Sequence, residues 1–131
     1  MEIFNKIFEV CEIKIKGKTY KLKFTLSAVL WLEQKGIKFE TLSVNLTKYP
    51  KTTIFMLAYA GLPTEEFRDK LSFEEFIRSL NDNEQLNIVK KLDLLLTAYY
   101  KDLAIKIEKA RKQMPVENKQ DPSVIKKNYL N

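Results

Sequence analysis

The side chains that could do chemistry are few and thinly spread. The acidic groupings are Glu65-Glu66, Glu74-Glu75 and Asp102 with Glu108. Adjacent carboxylates on a helix project about 100° apart, so neither doublet converges on one substrate atom for acid–base work. Glutamates in a first helical turn also suit the helix dipole, which gives them a sufficient structural role. No histidine occurs, which removes the commonest general base and the commonest metal ligand. The single Cys11 cannot form an internal disulfide, and without histidine it completes no zinc-binding set. Metal-dependent hydrolysis by carboxylates alone stays open. Gly17, Gly36 and Gly61 stand singly, so no glycine-rich loop cradles a phosphate. The expectation is a non-enzymatic protein with no catalytic residue, cofactor or metal.

Binding chemistry is better represented. Net charge is +6, which permits an acidic partner or nucleic acid without demanding either. Lys14, Lys16, Lys21 and Lys23 share one face of a β-hairpin, with Lys18 at its tip. A basic two-stranded ribbon can track phosphates. This face lacks the arginine, asparagine, glutamine and aromatic residues that read or stack on bases, and lysines on a solvated strand face also guard against edge pairing. A nucleic-acid-binding regulator is therefore the alternative reading.

These lysines are positioned by the stretch Cys11 to Gly36. Isoleucine alternates with charge through Glu12-Ile13-Lys14-Ile15-Lys16, and Thr19 to Phe24 alternates in the same way. A Gly17-Lys18 turn of type II′ would pair Lys16 with Thr19, Ile15 with Tyr20 and Lys14 with Lys21. Cys11, Ile13, Ile15, Tyr20, Leu22 and Phe24 then form an apolar face. Thr25 is placed to cap a helix over about 26–35, with Gly36 ending it.

An isolated hairpin is marginal in water, so the rest of the chain must cover it. Ile3, Phe4, Ile7 and Phe8 form a short helical stripe. A short helix is expected between Glu40 and Thr47. A nearly all-apolar helix over about 52–60, capped by Thr52 or Thr53, should be central and buried, with Gly61 ending it. Ser72-x-x-Glu75 is a capping box for a helix over about 73–80. The longest element, about 84–112, contains neither glycine nor proline. A straight helix of that length would be roughly 40 Å, against a diameter near 36 Å for a compact domain of this size.

In the first half of that helix, apolar residues from Leu86 to Tyr100 cover most of the circumference, which predicts packing on several sides. Beyond it the stripe narrows to Tyr100, Leu103, Ile107, Ala110 and Met114, spaced 3, 4, 3, 4. That is an a/d seam, suited either to the chain's own core or to a helix of another molecule. The candidate partner-binding residues are thus Tyr100, Leu103, Ile107, Met114, Lys14, Lys16, Lys21 and Lys23. At 131 residues, one domain over 1–114 is expected, with a mobile tail over 115–131. No membrane-spanning run and no signal peptide are expected. The fold class is α+β, mainly α: an N-terminal hairpin on a small helical bundle with a long C-terminal helix.

The pattern Lys18-x-Tyr20-x-Leu22-Lys23-Phe24-Thr25-x-x-Ala28-x-x-x-Leu32-Glu33-x-x-Gly36, followed by Ala60-Gly61-Leu62, resembles the tail assembly chaperones of long-tailed (siphovirus-type) bacteriophages and prophages. The resemblance covers residues 11–62. It implies a small, mostly helical, non-enzymatic protein that binds and solubilises the tape measure protein and helps to recruit tail tube subunits. It further implies self-association, and action in the cytoplasm of the infected bacterial host without incorporation into the mature virion.

Overall fold

The computed structural model describes residues 2–8 and 10–113; for Glu2 only the backbone is described. Its elements run α1 (Glu2–Phe8), β1 (Glu12–Ile15), β2 (Lys18–Lys21), α2 (Leu26–Gln34), α3 (Leu42–Lys48), α4 (Pro50–Gly61), α5 (Phe73–Ser79) and α6 (Asp82–Lys112). This is an α+β fold, mainly α, with a two-stranded antiparallel hairpin and a long last helix. The chain divides into two compact units, Met1–Thr97 and Ala98–Asn131, with the boundary inside α6. The expected mobile tail, 115–131, lies outside the described residues.

The hairpin forms in a register two residues away from the expected one. Glu12 pairs with Lys21, Ile13 with Tyr20, Lys14 with Thr19 and Ile15 with Lys18. The turn is therefore Lys16-Gly17, and both residues have positive φ, 50° and 80°. That is the type I′ signature, whose twist matches that of the strands. Because the shift is two residues, the faces survive: Cys11, Ile13, Ile15, Leu22 and Phe24 are all buried. The expected opposition of Lys14 and Lys21 is relieved, since Thr19 now faces Lys14. Two ties favour this register. Leu22 N–H donates to Cys11 O at 3.3 Å, and Lys16 N–H donates to the Glu84 carboxylate at 2.6 Å.

The hairpin's inner face meets α1 and α4. Phe24 lies between Phe4 and Phe8, with ring centroids 5.3 and 5.4 Å away. Asn5 pairs both backbone groups of Phe24: its Nδ2 donates to Phe24 O at 3.0 Å, and its Oδ1 accepts Phe24 N–H at 2.8 Å. Asn5 thereby serves Phe24 as a strand neighbour would.

The helix starts follow local chemistry. Thr25 Oγ1 accepts Ala28 N–H at 3.2 Å, and Gly36 takes φ +82°, as the cap and stop residues required. Ser72 and Glu75 complete the anticipated capping box. For α4 the expected threonine cap gives way to Pro50 in the first turn, where a missing N–H costs nothing. Thr53 is instead buried, its hydroxyl donating to Asn45 O at 3.1 Å.

The expected burial of α4 is found, since Thr53, Ile54 and every residue from Leu57 to Gly61 are buried. Around it runs an aromatic chain. Trp31 is 5.2 Å from Tyr59 and Tyr59 is 5.2 Å from Phe76; Phe76 is 5.8 Å from Phe67 and Phe67 is 5.1 Å from Tyr20. The Tyr59 hydroxyl donates to Leu71 O. Gly61 ends α4 as expected, but as its last helical residue and without the positive φ of a C′ glycine. Its bare Cα admits the side chains of Phe24 and Leu22, which a Cβ would meet at 2.9 and 3.1 Å.

Candidate functional site

The first half of α6 is fastened to the hairpin by polar ties. Asn81 and Glu84 form a second capping box: Asn81 Oδ1 accepts Glu84 N–H at 2.8 Å, and Glu84 Oε1 accepts Asn81 N–H at 2.9 Å. The other oxygen of Glu84 takes the Lys16 N–H of the hairpin turn. These bonds, first from Asn81 and then from Lys16, hold the Glu84 carboxyl below its usual pKa. Further along, Lys91 Nζ donates to Glu12 O at 2.6 Å. The spacing Asn81-x-x-Glu84 is a cap signal that the expected start near 84 passed over, and nothing in the sequence marks the reach to Lys16.

Apolar cover over α6 is one-sided. Ile88, Leu92 and Leu96 are buried, spaced four apart, whereas Leu86 and Leu94 are 53% and 71% exposed. The expected packing on several sides is thus corrected. One stripe is buried, while Leu86, Val89, Leu94 and Leu95 line open grooves. One groove of about 270 Å³ is lined by Val10, Cys11, Glu12, Lys91, Leu94 and Leu95. A second of about 270 Å³ is lined by Lys51, Phe55, Asp82, Gln85, Leu86 and Val89. Cys11 is 2% exposed, and burial pushes its thiol pKa up despite Lys91 nearby, which keeps it a protonated core residue.

The four seam residues that are described fall in the second unit. Tyr100 and Leu103 are half-buried, Ile107 is 50% exposed and Ala110 is exposed. Met114 lies outside the described residues. Tyr100 stands edge-on to Tyr99 at 5.2 Å, and burial raises its hydroxyl pKa. Ile105, off the seam, is 48% exposed.

The four hairpin lysines belong to the first unit, and all of them are exposed. Lys21 faces Glu12 across the ladder. Lys18, expected at the tip, instead sits beside the apolar face, where it pairs with Glu66 at 3.3 Å. Glu66 also accepts the Tyr20 hydroxyl at 2.8 Å. The Tyr20 and Lys18 bonds lower the Glu66 pKa, and the first of them raises that of Tyr20.

Among the described residues, no cluster of three His, Cys, Asp or Glu side chains could hold a metal ion, and no helix is long and apolar enough to cross a membrane. No protein-family model, curated protein or solved structure matches this chain.

Proposed function

We propose that this protein is a non-enzymatic tail assembly chaperone of a long-tailed bacteriophage or prophage. In this reading it binds the tape measure protein, keeps its apolar helices soluble and helps to bring tail tube subunits to it. It also self-associates, and it acts in the host cytoplasm without entering the mature virion. The observation that supports this most is the seam of half-buried Leu103 and exposed Ile107 and Ala110 on the C-terminal half of α6. An a/d seam is the surface that a second helix recognises, and a long helical client offers many such partners. The resemblance over residues 11–62 supports the same class of protein.

The test is co-expression with a tape measure protein, affinity capture, and size-exclusion chromatography with light scattering. The wild-type chain is expected to bring the long partner into a soluble complex. Leu103→Asp combined with Ile107→Asp is expected to keep the fold and lose the complex, because both residues carry solvent-accessible surface. A wild-type chain that ignores the partner would overturn the reading. Global unfolding of the double variant would instead return the seam to the chain's own core.

A further inference from the structure

The α6 seam carries a charge pattern that its partner must match. With Tyr100 and Ile107 as a positions and Leu103 and Ala110 as d positions, the flanking e and g positions hold Tyr99, Ala104, Lys106, Arg111 and Gln113. Each flank therefore carries one cation, Arg111 on one side and Lys106 on the other, and neither holds a carboxylate. Asp102 and Glu108 fall on positions c and b, turned away from the seam. Lys106 reaches back to Asp102 at 3.1 Å, but the two side chains are 67% and 62% exposed. Such a pair is worth little in water and exchanges readily for a better one.

A second copy of this chain does not supply the missing anions. Parallel self-pairing sets a g residue against the e residue of the next heptad, which brings Lys106 against Arg111 of the second copy. Antiparallel self-pairing sets g against g and e against e, and again no carboxylate reaches either flank.

We propose that this seam takes an amphipathic helix from a different chain, aliphatic along its own seam and rich in glutamate or aspartate at the flanking positions. The proposal rests on the seam being a partner-binding face, as above, and adds the chemistry of the segment that it selects. Leu103 and Ile107 supply the apolar contact, and small Ala110 admits a large side chain from the partner. Lys106 and Arg111 supply selection by charge, leaving self-association to surfaces other than the seam.

The experiment uses the full chain and two fluorescein-labelled synthetic helical peptides with identical leucine–isoleucine seams, one with glutamate and one with lysine at every e and g position. Fluorescence anisotropy should show the glutamate peptide binding roughly tenfold tighter, with an advantage that shrinks as salt is raised. Lys106→Glu with Arg111→Glu, both at exposed positions, should reverse the preference. Leu103→Asp with Ile107→Asp should remove binding of both peptides. Equal affinities, no binding of either peptide, or a preference that survives the charge reversal would overturn the proposal. So would a dimer of the chain alone that the aspartate variant dissolves. Since neither peptide is a phage sequence, a glutamate preference that survives a failed tape measure test would overturn the chaperone reading alone.

Discussion

Replacing Gly61 with alanine tests whether the hairpin is seated on α4 by close backbone approach. The Gly61 carbonyl accepts Lys23 N–H at 2.8 Å, so the chain beyond β2 lies directly on the helix end. A Cβ at Gly61 would stand 2.9 Å from Phe24 Cζ, 3.1 Å from Leu22 Cβ and 3.2 Å from Leu22 Cδ2. Carbon atoms pack best at about 3.5–4.0 Å, so all three are overlaps. Phe24 has little room to swing away, being 1% exposed and held between Phe4 and Phe8. Leu22 Cβ is fixed by its own backbone bond to Cys11. Overpacking of this kind costs about 1–3 kcal/mol, and the better helix propensity of alanine returns at most about 1 kcal/mol. The expected net loss is about 1–2 kcal/mol, or roughly 4–15 °C in Tm for a unit of this size. Thermal and urea unfolding followed by circular dichroism would measure it. Adding Phe24→Leu, which removes Cζ, should make the double variant lose less than the sum of the singles. An unchanged or raised midpoint for Gly61→Ala, or strict additivity, would refute the argument.

Lys16→Asn should stabilise the hairpin by about 0.5–1 kcal/mol, since asparagine tolerates positive φ and Asn-Gly is the favoured type I′ turn; a lower urea midpoint would show that the turn is not of that type. Glu84→Gln should lower stability at pH 7 and lose less on acidification than the wild type. The Glu84 pKa is depressed in the fold, so its contribution is present above the unfolded value near 4.5 and is lost as pH falls through the folded value. Urea midpoints at pH 7 and pH 3 should therefore converge between the two proteins, and a constant gap would count against the carboxylate ties.

How far the fold was legible depended on whether the signal was local. The caps at Thr25 and Ser72, the alternation of the strands and the apolar run of α4 are local patterns, and each produced the element expected of it. The hairpin turn was ambiguous because glycine suits the first position of a type II′ turn and the second position of a type I′ turn equally well. One of the two ties that favour the observed register comes from the distant Glu84, 68 positions away in sequence. Asn5 pairing with Phe24, and the bare Cα that Gly61 presents to the same ring, are long-range in the same sense. The seam was readable as a spacing, but its state of cover was not. Periodicity marks which face is apolar and is silent on whether anything lies against it.

The contrast between the sheet and the last helix bears on what kind of contact this surface suits. A two-stranded hairpin is a template for uncontrolled pairing, and here several of its free backbone groups are taken up. Glu12 O is held by Lys91, Lys16 N–H by Glu84 and Lys23 N–H by Gly61 O, while exposed lysines cover its outward face. Those lysines lie beside Glu12 and Thr19 rather than beside groups that read a base, which favours a solvating role over a nucleic-acid groove. The helix shows the opposite pattern. Ile107 remains half-exposed, with Lys106 and Arg111 set to either side where they add solubility without blocking the stripe. Strand addition is thus restrained by specific ties, whereas the apolar stripe of the last helix keeps its exposed surface.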